Sequence, residues 1–243
     1  MIRQVFSQIV NLLGASLPNR CLLCHQGVAR GQTGLCSACL GASLYQQPVC
    51  LGCGRGMTLQ LKYCGSCQQS RPLPVVAPAS YHQGLGPVIS GIKYQGQMAA
   101  LESLCQALVE RFEELEALGL VSRPQALLPV PLHPGRLRER GFNQAWMIAN
   151  RLSVILGIPL VDDCLVRTQH TLAQAGLDGK ARRQNLKQAF ELQQALPYPR
   201  VAIIDDVVTT GTTVSEIAAQ IRVQAPDMQV WCLARAEAPG LLD

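Results

Sequence analysis

The chain has 243 residues, of which 48% are hydrophobic, 15% charged and 5% aromatic, a balance that excludes a disordered chain, a collagen and a coiled coil. Its formal net charge of +5 is unevenly placed: no acid precedes Glu102, so residues 1–101 carry +7 and the remainder −2. The length suffices for one α/β domain and a smaller module, each able to bury apolar surface.

At the N-terminus, Val5, Ile9, Leu12 and Leu13 fall at helical spacing, so residues 1–18 read as a short amphipathic helix. Asn11 interrupts the apolar stretch and no convincing cleavage site follows, which argues against a secretory signal. No run approaches the roughly 20 apolar residues of a membrane helix. The protein is expected to be cytoplasmic and not to insert into a membrane.

Eight of the eleven cysteines form four Cys-x-x-Cys pairs: Cys21/Cys24, Cys36/Cys39, Cys50/Cys53 and Cys64/Cys67. Each such turn aims two sulfurs at one point, and two turns complete a tetrahedral thiolate site. A disulfide framework needs an oxidising compartment, and a thioredoxin-like centre needs one pair, not four. Residues 19–70 are therefore expected to hold two structural Zn²⁺ ions. Spacing leaves two pairings open: sequential (Cys21, Cys24, Cys36 and Cys39, then Cys50, Cys53, Cys64 and Cys67) or cross-braced. Four thiolates around Zn²⁺ carry −2, so two filled sites lower the charge of residues 1–75 from +6 to about +2. The basic look of this segment is mostly compensation and does not by itself argue for nucleic-acid binding. His25 reads as an exposed turn residue, and Cys105, Cys164 and Cys232 as small buried hydrophobes.

A proline-marked boundary (Gln68–Pro78) leads to a second domain, residues 75–243, in which strand and helix patterns alternate. Val75–Tyr81, Ala126–Pro131, Leu160–Val166, Val201–Asp206 and Gln229–Arg235 read as strands; helical faces run through Leu101–Leu115, Ala145–Leu156 and Val214–Ile221. Such alternation predicts a parallel sheet flanked by helices, with ligands beyond the carboxyl ends of its strands. Arg136, Arg138 and Arg140 sit on an expected loop after a strand, where three guanidinium groups can neutralise pyrophosphate or, for Arg136 and Arg138, form a solvated basic loop. Residues 168–180 are small, polar and glycine-punctuated, as in a mobile lid.

The most informative stretch follows the strand Val201–Ile204. Asp205 and Asp206 precede Val207, Val208, Thr209, Thr210, Gly211, Thr212 and Thr213, and a helix begins at once. The turn offers backbone N–H groups, hydroxyls and a helix N-terminus to a phosphate, while the carboxylates can accept from vicinal sugar hydroxyls. A sugar 5′-phosphate satisfies both halves, and both acids are expected to face the ligand crevice. No phosphate loop of the Gly-x-x-x-x-Gly-Lys type, no complete dinucleotide fingerprint and no Gly-x-Ser-x-Gly elbow occurs.

The stretch IIDDVVTTGTT resembles the phosphoribosyl pyrophosphate (PRPP) motif of type I phosphoribosyltransferases. The wider chain resembles the ComF family of competence-linked phosphoribosyltransferase-like proteins: in ISGIKY (Ile89–Tyr94), in Val130–His133 followed by Arg140–Gln144, in the pattern from Arg167 to Phe190, and in the four cysteine pairs. The resemblance implies a type I phosphoribosyltransferase-like parallel sheet preceded by a double zinc ribbon. It implies catalytic roles for Asp205, Asp206 and Arg140, PRPP binding by Asp205 through Thr213, and Mg²⁺ accompanying PRPP. It further implies a link to DNA uptake, either as an enzyme or as a PRPP- or nucleotide-sensing module whose ribbons meet single-stranded DNA or a helicase-like partner.

Overall fold

The computed structural model describes residues 19–29, 31–168 and 189–236. Its strands are β1 (Val75–Val76), β2 (Ala126–Pro129), β3 (Leu165–Arg167), β4 (Phe190–Leu192), β5 (Arg200–Val208) and β6 (Asp227–Arg235). Its helices are α1 (Ser37–Ser43), α2 (Gly65–Ser70), α3 (Gly86–Gln95), α4 (Leu101–Ala117), α5 (Pro134–Arg140), α6 (Gln144–Leu156) and α7 (Thr212–Ile221).

Four strands make one sheet in the order β1-β6-β5-β2, every neighbour parallel. Val201, Ala202, Ile203 and Ile204 of β5 are all fully buried, the unbroken apolar run that a strand covered on both faces requires. On one side α3, α4 and α6 bring Ile89, Leu104, Phe112, Ile148 and Leu152 against Ala202, Ile204 and Trp231. On the other, Val214, Ile217, Ala218 and Ile221 of α7 meet Ile203, Val230 and Cys232. The rings of Phe112 and Trp231 pack with centroids 4.5 Å apart.

Three sequence expectations need correction. The segment from Val75 pairs as a strand only through Val76, with two further isolated bridges, Ala79 to Leu44 and Ser80 to Arg235, because Pro78 lies between and lacks the N–H a ladder needs. The expected strand Leu160–Val166 divides at Asp162 and Asp163: Leu160 makes a single bridge to Leu127, and Leu165–Arg167 joins a separate antiparallel pair with Phe190–Leu192. The expected arginine loop is helix α5, begun by Pro134 and capped by His133, whose Nδ1 accepts from the Gly135 N–H at 3.1 Å. The expected helix over residues 1–18 lies outside the described residues.

The cysteine-rich module docks directly on this layer. Cys21, Leu35 and Leu51 belong to the same apolar cluster as Leu108, Phe112 and Trp231. Backbone bonds stitch the two together: Tyr45 N–H to Pro78 O at 2.9 Å and Val75 N–H to Leu51 O at 2.8 Å. Gly34 marks the closest approach. Its φ is +75°, and a Cβ there would lie 2.4 Å from the Ala100 nitrogen. Gly34→Ala is therefore expected to cost roughly 2–4 kcal/mol from left-handed strain and backbone overlap, seen as a lower midpoint in thermal or urea unfolding.

Candidate functional site

The cysteines form two clusters, Cys21/Cys24/Cys36/Cys39 and Cys50/Cys53/Cys64/Cys67, each with its sulfurs within 4.8 Å of one another. The pairing is sequential. Sulfur separations of 3.8 Å for Cys24–Cys36 and 3.7 Å for Cys53–Cys64 match the edge of about 3.8 Å in a tetrahedron with Zn–S bonds of about 2.3 Å. Burial raises the Cys21 thiol, but N–H groups of Cys24, Cys36 and Leu23 outweigh it and bring its pKa down to about 6. At Cys64 the N–H of Cys67 leads the same effect, to about 7. Each cluster thus holds one sulfur ready as a thiolate ligand. The donor set fits structural Zn²⁺, with sulfur filling all four positions. His25 is exposed, with φ of 60°, outside both clusters.

The second centre lies at the carboxyl end of β5. Asp205 lines a concavity with Val207, Val208, Thr209, Thr210, Gly211, Thr212, Thr213 and Val214. Gly211, at φ +73°, turns the chain into α7, whose N-terminus has no side-chain cap. The free N–H groups of that first turn, with the Thr210 and Thr212 hydroxyls 2.8 Å apart, leave a concave set of donors open to an anion.

The two acids part company. They lie within β5, not after it, and successive side chains of a strand point to opposite faces. Asp206 is buried, and its carboxylate pairs with Lys93 on α3, Nζ–Oδ2 3.0 Å. The expectation that both acids face the crevice is therefore corrected: Asp205 faces the concavity and Asp206 the α3 side. Each carboxylate also captures the next N–H: Asp206 N–H donates to Asp205 Oδ1 at 2.9 Å, and Val207 N–H to Asp206 Oδ1 at 3.0 Å. Burial foremost, then the Asp206 charge, pushes the Asp205 carboxyl up to about 8. Burial opposes the charge on Lys93, but Asp206 and Asp205 more than offset it and hold the ammonium more firmly protonated.

Around this pair the arginines divide. Arg167, on β3, shares an electrostatic neighbourhood with Arg136 and Asp205; burial and Arg136 disfavour its charge while Asp205 favours it. Arg140 lies 5.3 Å over the exposed ring of Tyr94 and reaches Gln144 Oε1 at 3.4 Å. Arg138 is one of the exposed side chains of α5. The Arg140–Gln144 stretch is a helix connector in which each part has a task. Gly141 (φ +78°) ends α5, Asn143 caps α6 through the Ala145 N–H at 3.0 Å, and Gln144 donates to Lys93 O at 3.0 Å.

Residues 12–68 match the family model described as a double zinc ribbon domain. The chain is 36% identical over 223 residues to Competence protein F of Haemophilus influenzae, covering 89% of this chain and 97% of that protein. It is 34% identical to DNA utilization protein YhgH of Shigella flexneri, over 90% of this chain and 98% of the relative. The chain belongs to the Competence protein F and DNA utilization protein YhgH family. Among solved structures, a purine phosphoribosyltransferase from Pyrococcus horikoshii overlays 56% of this chain and 72% of its own, with 20% identity and a TM-score of 0.34.

Sequence reasoning names two further side chains only as parts of longer patterns, and the structure places both beside the acids. Lys93 is 113 residues from Asp206, and only its place in the Lys-Tyr end of α3 marked it. Arg167 showed as one residue of a longer pattern. Of the lid expected over residues 168–180, only Thr168 is among the described residues.

Two measurements follow from this geometry. Purified protein should carry about two Zn²⁺ ions by elemental analysis, and Cys36→Ser or Cys64→Ser should each lose one. Asp205, with its folded pKa above the unfolded value of about 3.9, favours the folded state most below pH 4 and loses that contribution as pH rises through about 8. Asp205→Asn removes the buried charge. Its melting temperature should therefore gain on the parent between pH 5 and pH 9, by about 2–4 °C per kcal/mol relieved.

Proposed function

We propose that this protein binds PRPP, together with Mg²⁺, at the carboxyl end of β5, and that it acts as a phosphoribosyltransferase-like protein in the uptake and use of external DNA. The observation that carries the first part is the uncapped N-terminus of α7 opening onto the same concavity as Asp205. A 5′-phosphate takes the N–H groups and hydroxyls of Thr209–Thr213, and the ribose hydroxyls donate to Asp205. Asp206 acts from behind, holding Lys93 and the strand edge. The names of the relatives, Competence protein F and DNA utilization protein YhgH, support the link to external DNA.

A diphosphate on C1 then extends toward the cationic side of the site. Arg136 and Arg167 neutralise it there, with Arg140 at the margin over Tyr94. A single carboxylate facing the concavity suits a Mg²⁺ that arrives already held by phosphates, and the ion, when bound, supplies charge neutralisation. In transfer, the bond from C1 to the pyrophosphate oxygen breaks, pyrophosphate leaves with the bonding pair, and a nitrogen nucleophile bonds C1 as its proton passes to solvent. The chain's residues orient and neutralise; none is required to form a covalent bond.

A second reading keeps the pocket and drops the chemistry, making the protein a PRPP- or nucleotide-sensing module that contacts single-stranded DNA or a helicase-like partner. A concavity on the second ribbon favours it, lined by Lys62, Tyr63, Gln68 and Arg71, with the Lys62 ammonium 5.8 Å over the Tyr63 ring. A cation beside an aromatic face suits a phosphate and a stacked base.

Calorimetry with PRPP and Mg²⁺ tests the shared pocket. At pH 9, where Asp205 is ionised, Asp205→Asn loses a charge-assisted hydrogen bond and should weaken binding roughly 10- to 150-fold. Gly211→Val should abolish it, since a β-branched residue resists φ of +73°. Parent-like affinity in both variants rejects the site. Pyrophosphate release over a panel of nitrogen acceptors separates the enzyme from the sensor.

A further inference from the structure

Strand β6 ends in an arginine that sequence reading passes over. Arg235 is only 8% exposed, and a guanidinium so placed must find acceptors for its donors. It finds two in the second zinc module: Nη1 donates to Leu51 O at 3.1 Å, and Nη2 donates to Gly52 O, while Nε has no hydrogen-bond partner among the described residues. Those two carbonyls are the whole interior of the turn Cys50-Leu51-Gly52-Cys53. Gly54, at φ +81°, lays its backbone along the arginine stem; a Cβ there would sit 2.9 Å from Arg235 Cδ. The Leu51 carbonyl accepts from Val75 N–H as well, so the turn is clamped from β1 and from β6.

The other end of the connection is the candidate phosphate turn. Arg235 pairs with Val208 in the β5–β6 ladder, and Ala236 N–H donates to Val208 O at 2.8 Å. Thr209, the first residue of the turn, follows Val208 directly. One buried side chain thus stands between two of the four sulfurs of a cluster and the strand end from which the turn springs.

We propose that Arg235 is a positioning residue for the second zinc site and that, through it, metal at Cys50, Cys53, Cys64 and Cys67 keeps the Asp205–Thr213 strand end in order. Zinc fixes the Cys50–Cys53 turn so that both carbonyls aim at the guanidinium. The positive charge in turn sits on the carbonyls of a turn whose two sulfurs belong to a cluster that carries −2 when filled. When the metal leaves, four sulfurs lose their common partner, the carbonyls lose their aim, and a buried cation is left without acceptors. That state is costly, so Arg235 and the strand end beside it must shift. The ordering of the strand end stands without any ligand; only its use for anion binding rests on the PRPP reading.

The test uses the full-length, zinc-loaded protein. Zinc release to a chelator is followed with a metallochromic indicator, the two sites being told apart by Cys36→Ser and Cys64→Ser, each of which leaves one. Arg235→Lys keeps the charge but loses the two-carbonyl fork. It should release zinc from the second site about 10- to 100-fold faster, with release from the first site unchanged. Parent-like release, or equal acceleration at both sites as general destabilisation would give, overturns the positioning role. Hydrogen exchange then compares the parent with Cys64→Ser: residues 205–213 should exchange faster while β2 does not, and unchanged exchange over 205–213 overturns the connection to the turn. Titration with pyrophosphate and with PRPP keeps the two readings apart. If neither binds the parent protein, the PRPP reading falls, while the release and exchange results decide the Arg235 proposal on their own.

Discussion

Everything described above hangs on the parallel pairing of β5 with β6. The two nine-residue strands run side by side from Arg200↔Asp227 to Val208↔Arg235, buried on both faces, and their common carboxyl edge carries the candidate site. β5 delivers Asp205 and the threonine turn to one side of that edge and Asp206 to the other. β6 delivers Arg235 into the zinc module. A parallel pair buried on both faces needs helices on each side, and α3, α4, α6 and α7 meet that need; α3 and α7 in doing so bring Lys93 and an open helix N-terminus to the same edge.

The cysteine-rich module is not an appendage to this sheet. Cys21, Leu35 and Leu51 are almost fully buried, in a cluster that reaches Phe112 and Trp231. A module of this size has little interior of its own. Metal supplies part of its stability and the sheet layer supplies the rest. Arg111 on α4, reaching Gln60 Oε1 at 2.7 Å, shows the same dependence at the periphery, where a polar contact closes the seam. The charge pattern fits this division: thiolates neutralise most of the basic excess of the first 75 residues, leaving surface cations such as Lys62 and Arg71 as local features.

Much of this was legible in the residues. The four Cys-x-x-Cys pairs announced the metal sites because few other chemistries require that spacing. The run from Ile203 to Thr213 announced the turn because a strand, two acids, a glycine and a helix start must follow in that order. What stayed hidden depended on distance along the chain or on strand parity. Sequential pairing of the cysteines and the Lys93–Asp206 bond are tertiary facts, and spacing is silent on both. That Asp205 and Asp206 serve different faces follows from the strand continuing to Val208; it stayed unread because the expected strand ended with the two acids, as if both turned outward at its tip. The helix at Pro134–Arg140 was masked by its arginines, although Pro134 at the first position and Gly141 just past the end are helix punctuation. Arg235 gave no sign, since its partners are backbone carbonyls and carry no sequence signature.

The span of that last contact bears on how the chain is made. Leu51 and Arg235 are 184 residues apart, so at about 5–20 residues per second a ribosome finishes the ribbon on the order of 10–40 s before it supplies the strand that completes it. During that interval the face carrying Cys21, Leu35 and Leu51 can meet α3 and α4 but lacks Trp231 and Arg235, and eight thiols await metal. Early zinc capture would close the thiols to oxidation but leave this face incompletely covered until β6 emerges. The nascent ribbon thus keeps part of its apolar surface open through most of translation, and its burial is complete only with the last strand of the sheet.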